Sequence, residues 1–266
     1  LKPDIVVLLG DRYEILAAAQ VALIIGLPIA HIAGGDTTEG ALDEAIRHSI
    51  SKMAHIHFVT NELSARRVRQ LGENPQYIFN VGSPGIDYIK RVQLLNRSDL
   101  EKELEFKFQH KNLLVTFHPV TLDSVSSTEQ LAELLTAIDS LENGVGVIFT
   151  KANADTQGRS INQMIDDYVA LHPETKAYTS LGQIRYLSVI SQVDVVVGNS
   201  SSGLYEVPSF GKPTVNIGDR QKGRLQAASV VNCQSQALAI KQAISSAFNM
   251  DCSNVQNPYG DGNSSI

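Results

Sequence analysis

Short apolar runs alternate with longer stretches of helical periodicity along almost the whole chain, and no other feature constrains the fold as much. The runs at 5–9, 29–33, 56–59, 77–81, 113–117, 145–150, 176–179, 193–197 and 213–217 are largely continuous rather than alternating apolar with polar. A strand that is apolar on both faces is covered on both faces, as in a parallel sheet between two layers of helix. Helical patterns between the runs, for instance at 41–54, 129–141, 160–171 and 236–248, supply those layers. The expected fold class is therefore α/β, built from doubly wound, Rossmann-like parallel sheets.

Length sets the number of such units. With 266 residues, 43% of them hydrophobic, the chain suffices for a sizeable core and two domains. The segment "RVQLLNRSDLEKELEFKFQHKN", residues 91–112, is charged, has no long apolar run and precedes a fresh strand, "LLVTFHP". A boundary is expected within it. Residues 1–95 then read as the C-terminal part of one Rossmann-like domain and residues 110–250 as a second. Residues 251–266 read as a polar, turn-rich tail at the surface or poorly ordered. The chain opens "LKPDIVVLLGDRYE", with no initiator Met, directly on a strand of buried type. A further N-terminal portion of the first domain is expected to precede it.

Charge and cysteines exclude several classes of function. A net charge of −6 and a pI of about 5.6 argue against a general electrostatic grip on nucleic acid or an anionic membrane. A local basic pocket for a small anion stays open. Cys233 and Cys252 are the only cysteines and give neither a disulfide framework nor zinc-type spacing, so no metal site is expected. No apolar window approaches about 18 residues and no basic-then-apolar leader opens the chain, so a soluble cytoplasmic protein is expected.

Two doubly wound domains are expected to face a cleft, with ligands at the carboxyl ends of the strands. After the first strand stand Gly10, Asp11, Arg12, Tyr13 and Glu14, a carboxylate beside a guanidinium. These suit a charged ligand, unless Asp11 merely caps the next helix. After the second strand comes "AGGDTTEGALDEAIRHS", in which Gly34 and Gly35 permit a tight turn and Asp36 and Glu39 follow. Asp43 with Arg47 and Glu44 with His48 are then i,i+4 pairs on the polar side of a helix. As surface pairs each is worth about 0.2–0.5 kcal/mol, but their place at a strand end favours function. His55 and His57 straddle the start of a strand with no third ligand nearby and read as structural.

In the second half, "LLVTFHP" leaves His118 at a strand end, and "FTKANADTQGRS" offers Asn153 and Arg159 in a polar loop entering a helix. The sharpest pattern is "VDVVVGNSSSGLYEVPSFGKPTVNIGDRQKGR". Here a buried strand runs into Asn199, Ser200, Ser201, Ser202 and Gly203 and then a helix, an arrangement of N–H groups and hydroxyls suited to an anion. Glu206, one turn on, suits neutral hydroxyls such as those of a ribose, while Arg220 and Arg224 follow the next strand. Neither a P-loop nor a G-x-G-x-x-G pattern is present.

Together "GDRYE", "HIAGGDTTEGALDEAIRH", "TFHP", "GNSSSGLYEVPSFGKP" and "GDRQKGR", in this order along essentially the whole chain, resemble the UDP-N-acetylglucosamine 2-epimerase family. The resemblance implies the two-domain fold called GT-B, its first domain incomplete here. "GDR" and "DEAIRHSISKM" look closer to the hydrolysing branch, which makes free N-acetylmannosamine or a related 2-acetamido sugar for sialic-acid-type pathways. By resemblance, Asp11 and Asp43 match acidic catalytic positions, with Asp36, Glu39 and Glu44 in reserve, and His118 matches the family histidine. Ser200, Ser201, Glu206 and Arg220 match positions that hold UDP; Arg12 sits where a phosphate contact is expected, and Asn153, Arg159 and Gly203 complete the expected substrate side. Some relatives carry a Glu directly after the "HI" of the joint, where this chain has Ala33. The implied chemistry is anti elimination of UDP across C1–C2 and hydration of the glycal, without metal or redox cofactor. The implied partners are a UDP-sugar and a second copy in a homodimer. The alternatives are a non-hydrolysing epimerase, a GT-B glycosyltransferase and a non-catalytic nucleotide-sugar binder.

Overall fold

The computed structural model describes residues 2–37, 42–120, 125–142, 144–152 and 156–265. The chain divides into two α/β units. Residues 1–90, 222–225 and 257–266 make the first, and residues 91–221 with 226–256 make the second.

In the first unit β1 (Val6–Leu9), β2 (Ile29–Ile32), β3 (Ile56–Val59) and β4 (Ile78–Asn80) form one sheet in sequential order, every pair parallel. The helices that alternate with them are α1 (Tyr13–Ile24), α2 (Leu42–Met53), α3 (Glu62–Gln70) and α4 (Pro84–Arg91). Leu8 and Ile29 from the sheet pack with Ala19, Ile46 and Ile50 from α1 and α2. After β3 the Asn61 side chain accepts the Ser64 N–H at 2.9 Å and starts α3. β1 is an edge of the sheet among the described residues, and Val7 and Leu9 on it, with Val21 and Ile24 on α1, are exposed.

The second unit holds β5 (Lys111–Thr116), β6 (Val145–Thr150), β7 (Thr175–Tyr178), β8 (Val195–Gly198), β9 (Thr214–Ile217) and β10 (Val230–Cys233). Its helices are α5 (Arg97–Leu104), α6 (Ser127–Asp139), α7 (Thr156–Leu171), α8 (Gly182–Gln192), α9 (Ser202–Tyr205) and α10 (Ala237–Ala247). The sheet runs β10-β9-β8-β5-β6-β7, all parallel. Read from β7, that is the Rossmann order: the chain builds outward from β5 to one edge, then returns to β8 and builds to the other. β5 and β8 therefore flank the topological switch point. Leu113, Val115, Val195, Val197 and Val215 fill the core beneath α6, α7 and α10, none of them more than marginally exposed.

Two segments differ from the sequence-based expectation. The charged stretch 91–112 belongs to the second unit, since Leu100 and Leu104 of α5 are buried against the α8 side and Phe106 and Phe108 follow them inward. The polar tail folds with the first unit, because Tyr259 is fully buried and its carbonyl accepts the Ser83 N–H at 2.7 Å. Asp87 of α4 completes the anchor, accepting from the Ser264 N–H, the Ser264 hydroxyl and the Ser265 N–H at 2.9, 2.6 and 2.9 Å. No described helix is long and apolar enough to cross a membrane.

Candidate active site

The first cluster gathers at the carboxyl ends of β1 and β2. Asp11 does not cap α1, whose N-cap residue is Arg12 with no side-chain cap hydrogen bond. Its carboxylate instead receives two N–H groups of Arg47, Nε at 2.9 Å and Nη2, while Nη1 donates to the Asp36 carbonyl at 2.7 Å. One buried guanidinium thus pins the turn after β1 and the turn after β2 together. The expected surface pair of Arg47 with Asp43 is replaced by this longer-range one. Asp43 is exposed in the first turn of α2, and Glu44 keeps its expected partner, His48 Nε2, at 3.7 Å. The Asp36 carboxylate accepts the Ser64 hydroxyl at 3.1 Å and approaches the Asn61 amide at 3.5 Å. Glu39 lies outside the described residues.

His31 supports this turn from beneath. It is fully buried, with Nε2 2.8 Å from the Gly10 carbonyl and Nδ1 3.1 Å from the Ser51 hydroxyl. A carbonyl only accepts, so Nε2 carries the proton and Nδ1 accepts from Ser51. Burial pushes the His31 pKa down to about 4, against the opposing pull of the Gly10 carbonyl, and the ring is neutral at neutral pH. A Cβ on Gly34 would lie 2.7 Å from the Ser51 hydroxyl and 2.8 Å from His31 Nδ1, so the chain passes over this pair only as glycine. Just before it, Ala33 takes the left-handed region at φ 64°, uncommon for a residue with a side chain. His57, beside His31 in the sheet register, is buried with Nε2 3.4 Å from Glu73, in keeping with a structural reading.

The second cluster stands at the switch point of the second unit. Asn199, fully buried directly after β8, donates its amide to the His118 carbonyl at 2.8 Å and accepts the His118 N–H at 2.7 Å. Its own carbonyl accepts from Arg220 Nη1 at 3.0 Å and from the buried Gln221 side chain at 2.8 Å. Asn199 thereby ties the strand ends of β5 and β8 to the loop after β9. β8 approaches β5 so closely here that a Cβ on Gly198 would sit 2.0 Å from the Thr116 carbonyl, at φ +138°. Beyond Asn199, the backbone N–H groups of Ser200 and Ser201 meet no protein acceptor among the described residues, while Ser202 N–H reaches the Ser200 hydroxyl at 3.3 Å.

The helix expected to carry this loop is short. α9 is a single turn, ended because Pro208 lacks the N–H a further turn requires. Its dipole is correspondingly small, and an anion here would rest on N–H groups and hydroxyls. Gly203 is buried beneath Thr214, whose hydroxyl donates to its carbonyl at 2.8 Å. Glu206 lies at the end of the turn, half-buried, and accepts the Ser202 hydroxyl. Burial pushes its carboxyl pKa up, and the Ser202 bond opposes that shift.

Other expected residues lie elsewhere. Arg12 is exposed and pairs with Glu14 at 3.1 Å. Arg159 is exposed in the first turn of α7, and Asn153 lies outside the described residues. Arg224 joins the first unit, where its Nε reaches the Thr37 carbonyl at 3.4 Å. Gln221 went unassigned in the sequence, and Asn199 was read only as part of the anion-suited loop. Their only signal was a carboxamide at the end of an all-apolar strand and another beside Arg220.

Comparison with known proteins converges on one group. The family model described as UDP-N-acetylglucosamine 2-epimerase matches residues 1–266. The chain is 45% identical over 235 residues to a GDP/UDP-N,N'-diacetylbacillosamine 2-epimerase (hydrolyzing) of Campylobacter jejuni, covering 88% of this chain and 61% of that protein. It is 35% identical over 263 residues to a UDP-N,N'-diacetylbacillosamine 2-epimerase (hydrolyzing) of Legionella pneumophila, covering 99% of this chain and 69% of that protein. Among solved structures, UDP-GlcNAc 2-epimerase from Neisseria meningitidis bound to UDP-GlcNAc superposes with a TM-score of 0.84 at 18% identity, covering 99% of this chain and 74% of that one. The chain therefore spans roughly three-fifths to two-thirds of the length of the two sequence relatives. With a match along its full length, and two Rossmann-like units of the kind that make a GT-B protein, the chain belongs to the UDP-N-acetylglucosamine 2-epimerase family.

Proposed function

We propose that the chain serves a hydrolysing 2-epimerase acting on a UDP-linked 2-acetamido sugar. UDP leaves by anti elimination across C1–C2, and water adds to the glycal to give the free 2-epimeric sugar. The observation that carries the reading is the joint at Arg47, which brings the Asp11 carboxylate and the Asp36 backbone to one point at the ends of adjacent strands. The names of the two relatives support the hydrolysing outcome and make a 2,4-diacetamido sugar the first substrate to try, with N-acetylglucosamine second.

The C2 proton is weakly acidic, so the base must be oriented within hydrogen-bond reach of it. Asp11, aimed by Arg47, is the first candidate, and Asp36, Asp43 and Glu44 are the candidates for the second proton. The departing diphosphate needs donors already in place. Ser200 and Ser201 with their N–H groups, the backbone around Gly203, and Arg220 meet that need, and Glu206 reads the ribose hydroxyls. His118, fixed through its backbone by Asn199, is assigned to the diphosphate or to proton donation to it. Arg12, Arg159 and Asn153 are secondary substrate contacts. Elimination followed by hydration is redox-neutral, so the scheme calls on no redox cofactor. Homodimer assembly and cytoplasmic residence are part of the same reading.

Incubating the complete protein with either UDP-sugar in D2O tests the reaction. The expected products are UDP and a free 2-epimeric sugar carrying deuterium at C2. A UDP-linked epimer places the protein in the non-hydrolysing branch. Sugar transfer without C2 exchange identifies a glycosyltransferase, and UDP binding without turnover a binding protein.

A further inference from the structure

Behind Glu206 lies a file of hydroxyl groups that the proposed reaction does not use. Tyr186 of α8 is half-buried, and its hydroxyl donates to the Ser202 hydroxyl at 2.8 Å. Ser202 in turn donates to the Glu206 carboxylate. An ionised carboxylate accepts only, which fixes every direction in the file. Ser202 must donate to Glu206, so it accepts from Tyr186. The first bond polarises the second, and both run toward one carboxylate.

We infer that Tyr186 is a positioning residue for nucleotide recognition: through Ser202 it fixes the Glu206 carboxylate so that its remaining lone pairs face the paired hydroxyls of a ribose. The inference rests on reading Glu206 as the ribose-facing group. Ser202 is the only side-chain donor to Glu206 among the described contacts, so whatever holds Ser202 holds the carboxylate. Tyr186 has the second property a support needs. Burial pushes its phenol pKa up to about 12, so it stays a donor across the range in which the protein is handled.

The test is titration calorimetry of UDP and of 2',3'-dideoxy-UDP into the wild-type chain, Tyr186→Phe and Ser202→Ala. Phe keeps the ring in its place and removes only the hydroxyl. UDP affinity is expected to fall about three- to tenfold in Tyr186→Phe and by at least as much in Ser202→Ala, the size of one or two net hydrogen bonds. The dideoxy ligand, having no ribose hydroxyls, is expected to bind all three proteins equally. An equal loss for both ligands makes Tyr186 a merely structural residue and overturns the inference, as does undiminished UDP binding in Tyr186→Phe. Should Tyr186→Phe fail to fold, Ser202→Ala carries the same comparison. Absence of UDP binding by the wild type sinks the functional reading itself, a result distinct from equal binding by the variants.

Discussion

The two clusters solve the same problem, fixing a turn at the end of a buried strand, with opposite chemistry. In the first unit the fastener is charge: the buried Arg47 guanidinium holds the Asp11 carboxylate and the Asp36 carbonyl. In the second it is a neutral carboxamide, Asn199, that reaches both backbone groups of His118 and takes Arg220 and Gln221 on its own carbonyl. A charged fastener carries the desolvation cost of its ions, which the pairing must offset. A neutral carboxamide instead offers donors and an acceptor whose state does not change with pH. The contrast teaches that one chain fixes its strand-end turns with a buried ion pair in one unit and a buried neutral carboxamide in the other.

The largest expected effect breaks the charged fastener. Arg47→Met leaves the Asp11 carboxylate without its partner and should lower stability by about 3 kcal/mol in urea denaturation. Arg47→Lys keeps the charge but loses the fork that spans both turns, so it should recover only part of that. An unchanged midpoint for Arg47→Met would show that the pair contributes nothing to the fold.

A comparable effect comes from pH. The folded His31 pKa of about 4 lies below the value near 6.5 of an unfolded histidine, so folding favours the neutral ring. Its contribution is complete above about pH 6.5 and is lost as pH falls toward 4, a decline of at most about 3 kcal/mol. His31→Gln should flatten that part of the stability-against-pH curve, and a slope that survives the substitution assigns it to another group. Substituting Asn199 should produce no slope of this origin. Asn199→Ala should instead cost about 2 kcal/mol at any pH by stranding the His118 backbone groups, and it should weaken UDP binding measured by calorimetry. The smallest effect is a gain: Ala33→Gly relieves the left-handed backbone at φ 64° and should raise stability by about 0.5–1 kcal/mol. A loss on that substitution would mean that the Ala33 methyl group packs usefully.

How far each region could be read from residue order follows from the range of the interactions. β5, β6 and β8 are apolar on both faces and announce themselves. β10, "VVNC", is a half-exposed edge strand whose polar Asn232 breaks the run, and it passes unnoticed. α5 is eight residues long and wrapped in charge, so the burial of Leu100 and Leu104 leaves no periodic trace. In the candidate site, strand-end position drew attention to Asp11, Asp36 and the serine loop. Partner choice was not legible. Helical spacing offers Arg47 to Asp43 four residues away, whereas the folded chain gives it to Asp11 across 36 residues, because α2 lies beside the end of β1.

The anchoring of the tail has a consequence for the order of synthesis. Tyr259 fills the interior of the first unit and donates its hydroxyl to the Leu225 carbonyl, while Asp87 waits for Ser264 and Ser265. The unit translated first is thus completed last. On the ribosome, residues 91–256 emerge, and the second unit has all its strands, before Tyr259 and Ser264 reach their places. Cutting the chain after Lys90 would not release an independent module, since its buried tyrosine would remain on the other piece.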